Sequence, residues 1–325
     1  MKIALIGGSW STNIGNAFFN IGAIKLLEKL EVGEVFFVPE TPLWKNRELP
    51  HSSFELIGKL DVDLVILNGP CLNRRLTTIY ANTFFELTQR NIPIGILSAG
   101  MSEYTDSEAQ EVSDFLNQFN LTFIATRDTE TYNFFNNRVK NCSIIDGICT
   151  SMYLNEAVRV PKLITSKYVV YNFDNNEEPL INIANDKVIV EKRRKTLFKR
   201  QSLPQQLSDY AIIRISNNAI DDSLESIYYT QNTYHSDLPN GYISIISGAE
   251  YTFSERVHTC AVSLIMGGKA LFIPTSPRSF DNRSKLFERI GAKDIKEYPV
   301  SIDMDYIKGE KAKLESLLKK VICPI

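Results

Sequence analysis

The sequence predicts an α/β protein of two doubly wound domains. Short β-branched runs alternate with helical patterns along most of the chain, and the strand candidates are apolar on both faces. Strands of this kind are typical of parallel sheets that helices cover on both sides. The chain has 325 residues, which exceeds the usual size of one hydrophobic core and therefore favours two.

The first half of the chain contains six strand candidates and two helical patterns. Apolar residues at helical spacing predict helices near residues 16–30 and 80–89. The strand candidates are, in chain order, KIALIGG, EVFFVPE, VDLVILNG, IPIGILSAG, FIATRD and CSIIDG. The segment 155–167 has weak periodicity and a proline, so we place the boundary there and predict a first domain at 1–160.

The second half repeats this alternation less cleanly and is predicted to form a domain at 166–304. Its strand candidates are YVVYNF, KVIVEK, DYAIIRIS, YTFS and ALFIP. A helix is predicted from Val257 to Met266, because two glycines follow it as a stop signal. An amphipathic helix near 305–320 is also predicted, and we expect segment 305–325 to pack back on the first domain. Between 172 and 240, asparagine-rich stretches obscure the pattern.

The amino-acid composition indicates which classes of protein and of partner are compatible with this sequence. Hydrophobic residues make up 44% and charged residues 23%, and the formal net charge is -2. This is a soluble globular composition, and its charge argues against a nucleic-acid partner. The five cysteines are scattered without a C-x-x-C pair, which favours reduced thiols and no zinc site.

We expect a cytoplasmic protein, since no signal-peptide core or membrane-spanning run is visible in the sequence. The basic run 191–200 is a candidate for contact with anionic lipid at the inner face of the membrane. The alternative interpretation of that run is a solvated helix face.

The stretch FSERVHTC, residues 253–260, is the main candidate for a binding site. It stands where a strand gives way to a helix, and helix N-termini at the carboxyl ends of parallel strands bind anions. Ser254 is the predicted N-cap, and Arg256 and His258 are predicted in the first helical turn. Arginine binds phosphate or carboxylate with two hydrogen bonds, and histidine transfers protons near neutral pH. The alternative is a surface arginine and a histidine buried between domains.

The loop GGSWSTNIGNA after the first strand is a second candidate. Its glycines allow close approach of a ligand to the backbone, and Asn13, Gly15 and Asn16 are candidate ligand contacts. Turn and cap roles for the two asparagines are the alternative. The glycine spacing is not G-x-G-x-x-G, which argues against a nicotinamide cofactor.

The stretch ATRDTET places Arg127 and Asp128 at a predicted strand end, with Thr129 as the predicted cap of the next helix. Arg127 is a candidate anion ligand, and a structural Arg-Asp link is the alternative. The sequence has no H-E-x-x-H, P-loop or clustered carboxylate motif, so no metal is predicted.

The order of these motifs resembles the polysaccharide pyruvyl transferase family. The block ISGAEYTFSERVHTCAVSLIMGGKALFIP is similar to its S-x-R-x-H signature, and FDNRSKLFERIGA places Asp281 and Lys285 where the family has an aspartate and a lysine. NIGN, FIATRDTET and SIIDG are similar to its N-terminal motifs. The resemblance spans about residues 1–150 and 240–295. It departs where Asn68-Gly69-Pro70 replaces a glycine triplet and where Asn16 replaces an acidic residue.

This resemblance implies two Rossmann-like domains in a glycosyltransferase B-like arrangement with an interdomain cleft. It also implies transfer of a pyruvyl group from phosphoenolpyruvate, with no cofactor, to a sugar of a polysaccharide or lipid-linked oligosaccharide, forming a ketal. Arg256 and His258 would be catalytic, with Ser254, Arg127 and Lys285 on the donor. The acceptor would bind near the first loop. Two alternatives remain: a glycosyltransferase that uses sugar nucleotides, and a non-catalytic glycan- or phosphate-binding relative.

Overall fold

The computed structural model describes most of the chain as two parallel sheets surrounded by helices. The residues described are 1–10, 13–39, 52–173, 178–184, 187–191, 203–217, 232–236, 238–274 and 282–322. All structural statements below refer to these ranges.

Six parallel strands form the first sheet. Their order is β2-β1-β3-β4-β5-β6, and β3 and β4 are buried along their whole length because helices cover both faces. The strands are β1 (Lys2–Gly7), β2 (Glu34–Pro39), β3 (Leu64–Asn68), β4 (Ile94–Ala99), β5 (Leu121–Thr126) and β6 (Ser143–Ile145).

Seven described helices accompany this sheet. They are α1 (Gly15–Leu30), α2 (Ser52–Lys59), α3 (Arg74–Ile79), α4 (Ala81–Gln89), α5 (Asp106–Leu116), α6 (Thr129–Phe135) and α7 (Leu154–Ala157). A 3₁₀ turn, Thr150–Tyr153, leads directly into α7. The helices predicted at 16–30 and 80–89 correspond to α1 and α4. The predicted helix list was incomplete, because short helices between strands carry few periodic positions.

The second sheet has the order β10-β11-β7-β13-β14, with β12 beside β11. Its pairs are parallel except β10 with β11. Its strands are β7 (Tyr168–Asn172), β10 (Gln206–Leu207), β11 (Tyr210–Ile215), β12 (Thr233–Tyr234), β13 (Tyr251–Ser254) and β14 (Lys269–Phe272). The helices that follow in this half are α8 (Pro239–Ser247), α9 (Val257–Ile265), α10 (Lys285–Arg289) and α11 (Met304–Ile322).

The strand predicted from KVIVEK forms outside this sheet. It is β9 (Lys187–Glu191), which pairs antiparallel with β8 (Leu180–Ala184) in a separate two-stranded sheet. Ile189 and Val190 are exposed, so the apolar run does not mark a buried central strand here. Neither β8 nor α8 was predicted, because both lie in or beside the stretch where the sequence pattern is weak.

One continuous cluster of buried apolar residues joins the two sheets. It includes Phe18 and Tyr153 beside the first sheet and Tyr168 and Phe272 from the second. Leu314 of α11 belongs to the same cluster, so the last helix packs against the first half of the molecule. The α/β prediction is confirmed, whereas the domain boundaries at 160, 166 and 304 stay predictions.

Candidate active site

The helix α9 begins at Val257, as the sequence predicted, and ends at Ile265, one residue before the predicted end. Arg256 occupies the N-cap position in extended conformation, and the first helical residue is Val257. The prediction that Ser254 caps this helix was therefore wrong, since Ser254 is the last residue of β13. Its hydroxyl instead accepts the Arg256 backbone N–H at 2.8 Å. Within the described chain, the backbone amides of residues 257–259 donate to no protein acceptor, so they are available to an anion.

A buried polar network holds the start of α9 in place. The Thr259 hydroxyl donates to the Asn172 side-chain oxygen at 2.6 Å, and the Ser254 hydroxyl lies 3.3 Å from the same oxygen. Asn217, just after β11, lies 3.4 Å from the Thr259 hydroxyl. The Asn217 carbonyl also accepts the Ile14 backbone N–H at 2.9 Å. The second sheet is thus hydrogen-bonded directly to the loop that precedes α1.

The structure brings this loop against His258. A Cβ added at Gly15 would lie 3.6 Å from the Cβ of His258 and 3.2 Å from the Asn217 amide nitrogen. Asn13 accepts the Gly15 N–H at 3.0 Å, and the Asn16 amide donates to the Ser9 carbonyl at 3.1 Å. Both asparagines are partly exposed and shape the loop. Their predicted contact with an acceptor stays a prediction.

His258 lies in a pocket formed by both halves of the chain. Its ring is 4.9 Å from the ring of Phe19, and its Nε2 is 3.8 Å from the Cys149 sulfur. Burial, followed by the positive charges of Arg127 and Arg283, lowers the pKa of His258 to about 3. The imidazole is therefore neutral at physiological pH in the free protein. An anion that offsets the two guanidinium charges would raise this pKa.

Arg127 is a buried cation without a hydrogen-bond partner. It is only 3% exposed, and none of its guanidinium nitrogens donates to an acceptor in the described part of the chain. Asp128 lies 3.8 Å from its Nε, which is too long for a hydrogen bond. A Cβ at Gly100 would lie 2.5 Å from that Nε, so the glycine leaves room for the guanidinium. A buried, unsatisfied guanidinium is costly, which points to an anionic ligand.

Asp128 is occupied by other partners. Its carboxylate accepts the Thr131 backbone N–H at 2.7 Å and hydroxyl at 3.0 Å, and therefore caps α6. The prediction that Thr129 is this cap was wrong, because Thr129 is already the first helical residue. The Tyr104 hydroxyl also donates to Asp128 at 2.9 Å, and burial raises the pKa of Tyr104 to about 12. Asp128 therefore has a structural role at the start of α6, whereas the neighbouring Arg127 is available to bind a ligand.

Lys285 lies away from this cluster. Its Nζ is 2.9 Å from Glu130 and 3.4 Å from Glu288, at a cavity of about 190 Å³ that Asp128 and Tyr306 also line. No contact within the described ranges joins it to His258. The predicted role of Lys285 on the donor stays a prediction. The equivalent aspartate, Asp281, lies outside the described residues, as do His51 and nearly all of the basic run 191–200.

Sequence reasoning missed several residues around His258. Phe19 and Cys149 carry no local sequence signature of a site, and their contact with the imidazole depends on how the two sheets meet. Arg283 lies two residues before Lys285, and its effect on the pKa of His258 has no signature in the local sequence. Gly69 retains one glycine of the altered triplet, and its φ of 121° and its closeness to the Phe19 ring require it.

The described residues contain neither a membrane-spanning helix nor a cluster of metal ligands. No helix there is both long enough and apolar enough to cross a membrane. No group of three or more histidine, cysteine, aspartate or glutamate side chains in those ranges is arranged to hold a metal ion.

Comparison with solved structures defines the class of fold. A putative UDP-N-acetylglucosamine 2-epimerase from Listeria monocytogenes matches with a TM-score of 0.53 at 10% identity, covering 98% of this chain and 96% of that one. The Rickettsia bellii UDP-N-acetylglucosamine 2-epimerase gives 0.54 at 11%, covering 99% and 95%. S. aureus MnaA bound to UDP gives 0.55 at 12%, covering 99% and 90%. The predicted two-domain, glycosyltransferase B-like fold is confirmed.

The family follows from the sequence profile. The profile of the polysaccharide pyruvyl transferase family matches residues 13–277, a range that includes Asn13 and Asn16 of the first loop, Arg127, Arg256 and His258. The chain belongs to the polysaccharide pyruvyl transferase family and is a transferase. A search of curated proteins found no match to the sequence.

Proposed function

We propose that this transferase moves a pyruvyl group from phosphoenolpyruvate to a sugar and forms a pyruvate ketal. The observation that carries the proposal is the buried Arg127 guanidinium, which has no acceptor in the described chain and lies close enough to His258 to lower its pKa. Phosphoenolpyruvate carries a phosphate and a carboxylate, and two cationic groups and a helix N-terminus suit such a compact dianion.

The residues divide between binding and proton transfer. Arg127 and the amides at the start of α9 bind the donor anions, together with Arg256 at the N-cap. Ser254 orients Arg256 through its backbone N–H. Burial, followed by the charges of Arg127 and Arg283, keeps His258 neutral, and a bound dianion that offsets these two charges would raise its pKa and favour a protonated imidazole.

The chemistry then follows from a protonated His258. The imidazolium gives its proton to the methylene carbon of phosphoenolpyruvate, and positive charge develops at the neighbouring carbon. A sugar hydroxyl oxygen bonds to that carbon and returns its proton to His258. The C–O bond to phosphate then breaks, and a second hydroxyl of the sugar closes the ketal while its proton leaves with the phosphate. Acid-base help of this kind is worth about 10² to 10⁴ in rate.

No cofactor enters this scheme, and the acceptor is a sugar hydroxyl of a polysaccharide or its lipid-linked precursor. We place the reaction in the cytoplasm, where phosphoenolpyruvate is made. Contact of the run 191–200 with anionic lipid at the inner face of the membrane stays part of the proposal, because a lipid-linked acceptor would lie there.

A ligand-stability screen tests the donor. Phosphoenolpyruvate is expected to raise the unfolding temperature in a concentration-dependent way, and UDP-N-acetylglucosamine is not. Phosphate release from phosphoenolpyruvate that needs an added glycan would establish the transfer. Stabilisation by the sugar nucleotide alone would replace this proposal with the second candidate, a transferase that uses sugar nucleotides. That candidate is favoured only by the fold shared with the UDP-N-acetylglucosamine 2-epimerases.

A further inference from the structure

Cys149 is held rigidly against the imidazole of His258. The residue after it, Thr150, donates its backbone N–H to the Ser98 hydroxyl at 3.0 Å and its own hydroxyl to the Phe19 carbonyl at 2.7 Å. Cys149 is 1% exposed, and its sulfur lies 3.8 Å from Nε2 of His258. This distance is within the range of a hydrogen bond that involves sulfur.

The surroundings of the sulfur favour Cys149 as the donor of this hydrogen bond. The Ser151 hydroxyl donates to the Cys149 sulfur at 3.2 Å, so the sulfur already serves as an acceptor. Burial raises the pKa of the Cys149 thiol, and the thiol therefore keeps its proton at neutral pH. The Nε2 of His258, 3.8 Å away, is in position to accept a hydrogen bond from this S–H group.

The other ring nitrogen of His258, Nδ1, differs from Nε2 in its hydrogen bonding. Nδ1 has no hydrogen-bond partner among the described residues, although the histidine side chain is only partly exposed. A neutral imidazole that accepts a hydrogen bond at Nε2 carries its proton on Nδ1. The nitrogen left free of protein contacts is therefore the protonated one.

We propose that Cys149 is a positioning residue that fixes the tautomer of His258, holding Nε2 toward the protein and presenting Nδ1–H to the ligand. An N–H donor suits a phosphate or carboxylate oxygen, which accepts hydrogen bonds and donates none when ionised. When the ring takes a second proton, it enters at Nε2, and the Nδ1 proton is the one already aimed at the substrate. The catalytic meaning of this arrangement rests on the proposed pyruvyl transfer, but the tautomer is a property of the free protein.

Nitrogen NMR of protein labelled in its three histidines tests the proposal without any substrate. His51→Gln and His235→Gln variants assign the His258 signals. At neutral pH we expect His258 to be neutral with its proton on Nδ1. In Cys149→Ala we expect a mixture of tautomers, and in Cys149→Ser we expect the Nδ1–H form to be retained, since a hydroxyl also donates.

Cys260→Ala is the matched control, because Cys260 is an equally buried thiol in the same helix as His258, with its sulfur near the carbonyls of Ser254 and Leu271. It should leave the tautomer unchanged. A wild-type His258 with its proton on Nε2 would overturn the proposal, as would an unaltered tautomer in a folded Cys149→Ala protein. Once turnover is measured, loss of one weak hydrogen bond predicts a fall in kcat of about 3- to 10-fold in Cys149→Ala, with recovery in Cys149→Ser. Failure of turnover with the predicted tautomer intact would count against the pyruvyl transfer only.

Discussion

The environments of Arg127 and His258 are energetically unfavourable in the absence of a ligand. The guanidinium is buried without a hydrogen-bond acceptor in the described chain, and the imidazole is kept neutral by burial and by two positive charges. Both features lower the stability of the folded protein. Such costs are expected at functional sites, where the ligand supplies the missing partner.

The depressed pKa of His258 predicts how acid affects the free protein. Its folded pKa is about 3, whereas its ordinary value is 6.5, so the unfolded chain takes up a proton first as pH falls. Stability therefore declines as pH drops below about 6.5 and stops declining near 3. When the pH falls from about 7.5 to about 5, the unfolding free energy of wild type should fall by about 1 to 2 kcal/mol more than that of His258→Gln.

Urea unfolding at the two pH values measures this difference. His235→Gln is the control, since His235 is exposed, and it should behave like wild type. Equal acid sensitivity in wild type and His258→Gln would show that His258 is not held neutral.

The helix α1 and the turn Thr150–Tyr153 position the pocket around His258. α1 carries Phe19, and the turn follows Cys149 directly. They approach so closely at Gly22 that an added Cβ would lie 1.8 Å from the Thr150 carbonyl oxygen. The contact is with backbone, so no side-chain rotation can relieve it.

Gly22→Ala is therefore expected to destabilise the fold by about 1 to 3 kcal/mol or more, because the extra methyl forces the two elements apart. The matched control is Gly309→Ala in α11, where a Cβ would meet nothing within 4 Å. That change should stabilise by about 0.5 to 1 kcal/mol through helix propensity. Denaturant unfolding of both variants checks the pair, and a stable Gly22→Ala protein would mean that the close approach is wrong.

The sequence predicted the elements that carry the site better than it predicted their contacts. FSERVHTC was correctly placed at a strand-to-helix junction, because an apolar strand and a helical period meet there. The cap of α9 was misplaced, since Ser254 lies two positions before the N-cap residue Arg256 and its hydroxyl accepts the Arg256 backbone N–H instead. The strand β9 was predicted but its partner β8 was not, because β8 lies in the stretch where the sequence pattern is weak.

The two halves of the molecule are joined by more than the apolar core. Arg289 of α10 donates to the Gly147 carbonyl at 3.0 Å and to the Tyr306 hydroxyl at 3.0 Å. It also pairs with Glu310 of α11 and lies 3.4 Å from Asp146 after β6. The segment after β14 and the last helix are thereby attached to the first sheet. Contacts between distant segments of this kind have no local signature, so the sequence did not reveal them.

Removing Arg289 should loosen this attachment. In Arg289→Met, two carboxylates lose their cation in a mostly buried setting, and the expected loss is about 3 to 5 kcal/mol of unfolding free energy. Lys2→Met is the control, because Lys2 and Asp61 form an exposed pair at 3.5 Å. Its cost should stay below about 1 kcal/mol. Comparable stability of the two variants would argue against the role given to Arg289.

The central claim is that the buried Arg127 guanidinium binds a dianionic donor. Calorimetric titration of phosphoenolpyruvate into wild type and Arg127→Met tests this claim most directly. Loss of a charged hydrogen-bond partner predicts donor binding about 10- to 100-fold weaker. Arg127→Met removes the cation 3.8 Å from the buried Asp128 carboxylate, so thermal unfolding first checks that the variant is folded. Unchanged donor affinity, or a variant that binds normally and is less stable, would show that the guanidinium serves the fold instead.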